Sequence, residues 1–133
     1  MENLNINLPS VASLAYLGDA VYELTVREYL VKKGISSSAK LNRKALEYVT
    51  APNQSSALKR IFDKLSEEEI SIYKRGRNHK TGHCPKNADP DEYQRATGLE
   101  VLFAALYLKN KKDRISELFE LAFSELEEEQ CTE

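Results

Sequence analysis

What the chain has little of narrows its class. It carries two cysteines, Cys84 and Cys131. They lie far apart, and Cys131 falls in a tail expected to fray, so no structural disulfide is expected and the composition fits a reducing cytoplasm. Five glycines and four prolines are too few for a fibrous or low-complexity protein. The longest apolar run, Val101 to Leu108, is much too short to span a bilayer. No basic segment followed by an apolar one opens the chain, so neither a signal peptide nor a membrane partner is expected. Neither sign of charge dominates: the net charge is -2, so composition alone does not mark a nucleic-acid binder.

What is present is the make-up of a globular domain. A chain of 133 residues, 30% charged and 41% hydrophobic, can bury one core. No repeat or long linker divides it, so one domain over 1–133 is expected, with the last few residues disordered. The periodicity predicts an all-α fold of five or six helices and no strand. Ser10 caps a first helix running to about Lys33, where Gly34 stops it; Val11, Leu14, Leu17, Val21, Leu24 and Tyr29 recur at helical spacing. Gly18 interrupts that helix at a cost of roughly 1 kcal/mol, which points to a packing or close-approach role. Further helices are predicted over about Ala39 to Val49 and Asn53 to Lys64, with Pro52 as a break between them. Ser66-Glu67-Glu68-Glu69 reads as a capping box opening a helix that fades near Gly76. A loop over Asn78 to Ala88 leads to Asp89-Pro90, with Glu92 completing a second box, and a helix to Leu108. After a turn at Asn110-Lys111-Lys112, Asp113 opens an amphipathic helix carrying Ile115, Leu118, Phe119, Ala122 and Phe123.

Behind the neutral mean the charges are segregated. Lys74 to Lys86 holds Lys74, Arg75, Arg77, Lys80 and Lys86 and no acid, whereas Asp113 to Glu133 carries a series of Glu. The basic stretch is a candidate phosphate contact, with Asn78, His79 and Thr81 suited to hydroxyls and Gly76 and Gly82 to close backbone approach. An ordinary solvated loop is the other reading of such a run.

Two acids stand out by their neighbours. Asp19, in Leu17-Gly18-Asp19-Ala20-Val21, shares an arc with Ala12, Ala15, Val26 and Leu30, and has no base one turn away. Glu23 faces the same side at i+4, so the two carboxylates repel unless a cation intervenes. Glu100 is the only charge between Arg95 and Lys109 on a helix apolar on nearly every side, and it shares a face with Tyr93, Ala96, Ala104 and Tyr107. A buried carboxylate must be paired, protonated or bound to a cation. A hard divalent ion is one remedy; backbone amides or a distant Arg are another. His79, His83 and Cys84 lack a fourth ligand at zinc spacing. Tyr16, Tyr22, Tyr29, Tyr93 and Tyr107 could stack on bases, but at helical spacing they read first as core.

The segment Leu14-Ala15-Tyr16-Leu17-Gly18-Asp19-Ala20-Val21 resembles the signature of ribonuclease III, and Thr97-Gly98-Leu99-Glu100-Val101-Leu102 resembles that fold's later acidic segment. Lys74-Arg75-Gly76-Arg77-Asn78 with Pro85-Lys86-Asn87 is similar to the basic loop that distinguishes the Mini-ribonuclease III family, which consists of the catalytic domain without a double-stranded-RNA-binding domain. The resemblance implies an all-α ribonuclease III-like endonuclease domain that forms a homodimer. It implies magnesium-dependent cleavage of double-stranded RNA, with precursor large-subunit (23S) ribosomal RNA as the substrate. It assigns catalysis and metal binding to Asp19 and Glu100, and RNA contact to Lys74, Arg75, Arg77, Asn78, Lys80 and Lys86. Full-length ribonuclease III carries further acids where this chain has Ala12, Ala15 and Thr97. Two other readings stand beside the enzyme: a non-catalytic RNA-binding module on the same fold, and a helical protein that binds a protein partner. Dimerisation has its own rationale, since the helix carrying Asp19 has more apolar surface than a small monomer covers comfortably.

Overall fold

The helical periods translate into six α-helices and no strand among the described residues. The computed structural model describes residue 4, residues 7–79 and residues 84–131, with side chains as far as residue 124. The helices are α1 (Val11–Lys32), α2 (Ser38–Val49), α3 (Ala51–Ile61), α4 (Glu67–Arg77), α5 (Pro90–Leu108) and α6 (Lys112–Cys131). A 3-10 turn, Phe62–Lys64, separates α3 from α4. Among the described residues no helix is long and apolar enough to cross a membrane.

Because α5 is apolar around its circumference, it is the helix the others surround. From Val101 to Leu106 every residue is buried. Helices α1, α3, α4 and α6 all pack on it. On the far side, the five positions predicted for α6 (Ile115, Leu118, Phe119, Ala122, Phe123) are all buried. Phe119 and Phe123 meet Tyr48, and Phe119 also meets Tyr22 and Tyr29, so these tyrosines are core. Tyr16 departs from that reading: it is 88% exposed.

The helix ends follow local chemistry. Ser10 accepts from the Ser13 N–H at 3.1 Å, and Gly34 takes φ +87°, the left-handed stop that glycine supplies without a Cβ penalty. The capping box of α4 forms in full between Ser66 and Glu69. At α5 only half a box forms: Asp89 accepts from the amides of Asp91 and Glu92. Pro52 does not separate α2 from α3. Thr50 does so by turning extended, and Pro52 sits in the first turn of α3, where its missing N–H has no intrahelical partner to lose. The backbone of α6 stays helical to Cys131, past the Glu run expected to fade; the tail beyond it lies outside the described residues.

Glu69 also joins α4 to α6. It is 3% exposed, and the Arg114 guanidinium donates to both of its oxygens at 2.9 and 2.8 Å and to Lys64 O at 2.9 Å. Burial would raise the Glu69 pKa, but bonds from Arg114 and Ser66 outweigh it and hold the carboxyl low.

Candidate active site

Gly18 explains how two acids far apart in sequence meet. A Cβ at Gly18 would stand 2.1 Å from the Glu100 backbone oxygen, so only glycine lets α1 lie directly on α5 here. The next residue on α1 is Asp19, and the contacted residue on α5 is Glu100. Their carboxyl groups come within hydrogen-bonding reach of each other. The close-approach role expected of Gly18 is therefore the contact that assembles the acid pair.

The second crossing on α5 also uses glycine. A Cβ on Gly76 would lie 2.7 Å from the Val101 side chain and 2.9 Å from Gly98 Cα, while one on Gly98 would meet the Tyr73 ring at 2.5 Å. The end of α4 is thus anchored on residues 98 and 101, to either side of Glu100. This corrects the reading of Gly76 as a point of approach for RNA: Gly76 is buried in a helix–helix contact.

Asp19 and Glu100 line an open cavity of about 760 Å³ together with Ala15, Tyr16, Glu23, Gln54, Tyr93 and Thr97. Asp19 is exposed at its mouth, so its arc divides in the structure: Val26 and Leu30 turn to the core, Ala12 and Asp19 to solvent. Glu100 is half-buried. Burial, the charge on Asp19 and the hydrogen bond with Asp19 push its carboxyl up to about 8, with Gln54 pulling slightly the other way. Glu23 shares the lining, but Arg27 holds its carboxylate at 2.9 Å on the solvent side. Behind the pair, the Tyr22 hydroxyl donates to Tyr48 O at 2.9 Å; its pKa is raised by burial and then by Glu100.

Among the described residues, the cavity lining contains three carboxylates, Asp19, Glu23 and Glu100, and no lysine or arginine. Such a surface repels an anion until a cation enters. The donors present are hard oxygens, which suit magnesium. Among the described residues no group of three or more His, Cys, Asp or Glu side chains converges as a metal cage. An ion held by this pair must therefore draw other ligands from water, substrate or a neutral oxygen. Gln54, on α3, is 4% exposed, its Nε2 donates to Val49 O at 3.0 Å, and its Oε1 is buried with no donor. Nothing in the sequence singled out Gln54, because a glutamine within a helix carries no charge or spacing signal. Ala15 and Thr97 also line the cavity, and the Thr97 hydroxyl donates to Tyr93 O at 3.0 Å.

The basic residues of α4 occupy a different surface. Lys74, Arg75 and Arg77 are on the last turn of α4, which ends at Arg77, close to the Gly76 where it was expected to fade. Cations there also complement the helix dipole. The Arg77 guanidinium lies 5.7 Å from the Tyr73 ring centre, and its Nε donates to Asn78 Oδ1 at 3.1 Å. Lys86 is exposed in the turn before α5. Lys80, with Thr81, Gly82 and His83, lies outside the described residues. The structure thus brings Asp19 and Glu100 together and leaves Lys74, Arg75 and Arg77 outside the acidic cavity, on a helix fixed to the same stretch of α5.

Comparison with known proteins finds similar chains and a similar fold. The profile of the Ribonuclease III domain matches residues 12–111. Mini-ribonuclease 3 of Brevibacillus brevis is 42% identical over 123 residues, which cover 92% of this chain and 92% of that protein. Mini-ribonuclease 3 of Symbiobacterium thermophilum is 44% identical over 117 residues, covering 88% and 89%. An X-ray crystal structure of a protein from Fusobacterium nucleatum superposes with a TM-score of 0.77 at 35% identity, covering 90% of this chain and 96% of that one.

Proposed function

Since the chain belongs to the ribonuclease III family and groups with its Mini-ribonuclease 3 members, we propose that it is an endoribonuclease that cuts double-stranded RNA with the aid of magnesium at Asp19 and Glu100. The observation that carries this reading is the cavity itself: paired carboxylates, one held half-buried, in a lining without a positive side chain among the described residues. A phosphodiester can approach such a surface only with a cation present. Bound magnesium would neutralise the phosphate and activate a water for hydrolysis. Asp19, at the exposed mouth, and Glu100, deeper and raised in pKa, hold that ion; Gly18 sets their separation.

The last turn of α4 supplies the substrate contact. Lys74, Arg75 and Arg77, with Asn78, Lys80 and Lys86 beyond them, suit the phosphates and 2′-hydroxyls through which A-form RNA is recognised. The enzyme works as a homodimer in the cytoplasm, one site for each strand. Tyr16, Leu24 and Val31 support this, being 88%, 54% and 60% exposed along one side of α1. Its substrate is structured RNA, with precursor large-subunit (23S) ribosomal RNA the natural example.

The test is cleavage of a perfectly paired RNA duplex, with magnesium and with EDTA, beside Asp19→Asn and Glu100→Gln. Magnesium-dependent cutting by the native chain, lost in both variants while duplex binding persists, is the expected result. Duplex binding without cutting over a range of metals would instead make the chain a non-catalytic RNA-binding module.

A further inference from the structure

Arg95 is a cation that neither the acidic cavity nor the basic turn of α4 accounts for. It stands half-exposed on α5, between Tyr93 and Ala96, which line the cavity, but it is not part of that lining. Its Nη1 donates instead to Ser55 Oγ on α3 at 3.1 Å, and Ser55 is 2% exposed. That bond to a neutral hydroxyl fixes one corner of the guanidinium and leaves its charge and its other N–H donors for a further partner. On the α4 side lies Tyr73, whose ring sits against Gly98, one turn along α5 from Arg95. The Arg77 guanidinium lies 5.7 Å from the centre of that ring, and Arg77 and Arg95 both pull down the Tyr73 pKa that burial raises. Two guanidiniums from two helices thus flank one tyrosine. The ion pairs among the described residues engage Arg27, Lys32, Lys44 and Arg114, and neither Arg77 nor Arg95. Like charges gathered without an acid repel until an anion joins them.

We propose that Arg95 is a further RNA-phosphate contact, which carries the basic surface of α4 onto α5. The inference rests on reading that surface as the RNA contact. Duplex RNA is recognised through its phosphates and 2′-hydroxyls, and the planar fork of a guanidinium matches a phosphate. What sets Arg95 apart from the cations of α4 is where it is held. It shares a helix with Glu100, five residues or about 7.5 Å of helix away, and Ser55 fixes it there. A phosphate bound at Arg95 therefore stands at a set distance from the acid pair. Arg95 thus serves binding and register together: it holds the strand and places it against the site where it is cut.

The test is binding of a perfectly paired RNA duplex in EDTA, measured across salt concentration on the whole chain. Arg95→Gln is expected to weaken binding about tenfold at low salt and to lower the salt slope by about one unit. Arg95→Lys, which keeps the charge, should keep the native slope. Ser55→Ala, which removes the tether and keeps the guanidinium, should also keep the slope while lowering the melting temperature. Mn2+ binding, read by electron paramagnetic resonance, should be native in Arg95→Gln. A folded Arg95→Gln with native duplex affinity and slope makes Arg95 a strut between α3 and α5 and overturns the proposal. If Arg95→Gln does not fold, the Arg95 Nε–H resonance of the native chain, assigned by its loss in Arg95→Lys, decides: a shift on adding duplex supports the contact, and no shift overturns it. Failure of the native chain to bind duplex, or binding that does not weaken with salt, overturns the RNA reading of the whole basic surface.

Discussion

At the scale of the residue, Glu100 is in tension with its surroundings. Its carboxyl is pushed up from 4.5 to about 8 by burial and by Asp19. Between those values the folded chain holds a proton that the unfolded chain has released, so this group's contribution to stability falls as pH rises from about 4.5 to 8. Glu100→Gln removes the dependence while keeping the shape. In EDTA the variant should be more stable than the native chain at pH 8.5, by roughly 1–3 kcal/mol after discounting for solvent at the cavity mouth. The gap should close near pH 4.5. Magnesium should narrow it at high pH by stabilising the native chain alone. Thermal melts across pH, with and without metal, check all three; a gap that does not change with pH would mean the Glu100 charge is already compensated. The two acids were legible in the sequence because each is an unpaired charge among apolar and small residues, a local signal. Gln54 was not, because what distinguishes it is an unfilled acceptor, which exists only once α3 packs beside α5.

At the scale of the element, glycine decides where helices cross. Gly18→Ala puts a methyl group 2.1 Å from a backbone oxygen that no rotamer can move, so α1 must lift off α5. The expected cost is about 3 kcal/mol, and Asp19 moves with the helix, so Mn2+ affinity and cleavage should fall together. Gly34→Ala is the control: nothing lies within 4 Å of its Cβ position, and only the φ of +87° is strained. It should cost about 1 kcal/mol and leave metal binding unchanged. Denaturant midpoints and Mn2+ titration of both variants separate the two cases. The α4–α6 tie behaves differently again. Arg114→Met strands the buried Glu69 carboxylate and should destabilise by about 3 kcal/mol. Because Glu69 is held low in the fold, that loss should be full at neutral pH and shrink as pH falls toward the acid range. The helices themselves were readable, since caps such as Ser10, Ser66 and Asp89 and apolar periods are local. What was not readable was the role of Gly76: basic neighbours on both sides make it look like part of a contact loop, while its actual partners, Gly98 and Val101, lie on a different helix.

At the scale of the whole molecule, charge is divided between two surfaces with opposite tasks, and an apolar strip adjoins one of them. On the proposed reading, the basic turn of α4 is the RNA contact and the acidic cavity takes phosphate only with a metal. Cleavage should therefore depend on salt through the first surface and on metal through the second. Arg77→Ala should weaken duplex binding and flatten its salt dependence, by about one unit of slope for each phosphate that Arg77 neutralises, without changing Mn2+ affinity. Tyr16 belongs to both the cavity lining and the exposed strip of α1. A second protomer covering that strip would lie at the edge of each site, which makes assembly a condition for a complete cavity. Leu24 lies on the strip but not on the cavity lining, so it separates the two roles. Leu24→Arg should convert a dimer to monomer in sedimentation at micromolar concentration and lower cleavage of a duplex by tenfold or more, while the metal-free monomer keeps its helical content by circular dichroism. If the native chain sediments as a monomer, or the variant stays dimeric at full activity, the α1 strip is not the surface through which the two sites are paired.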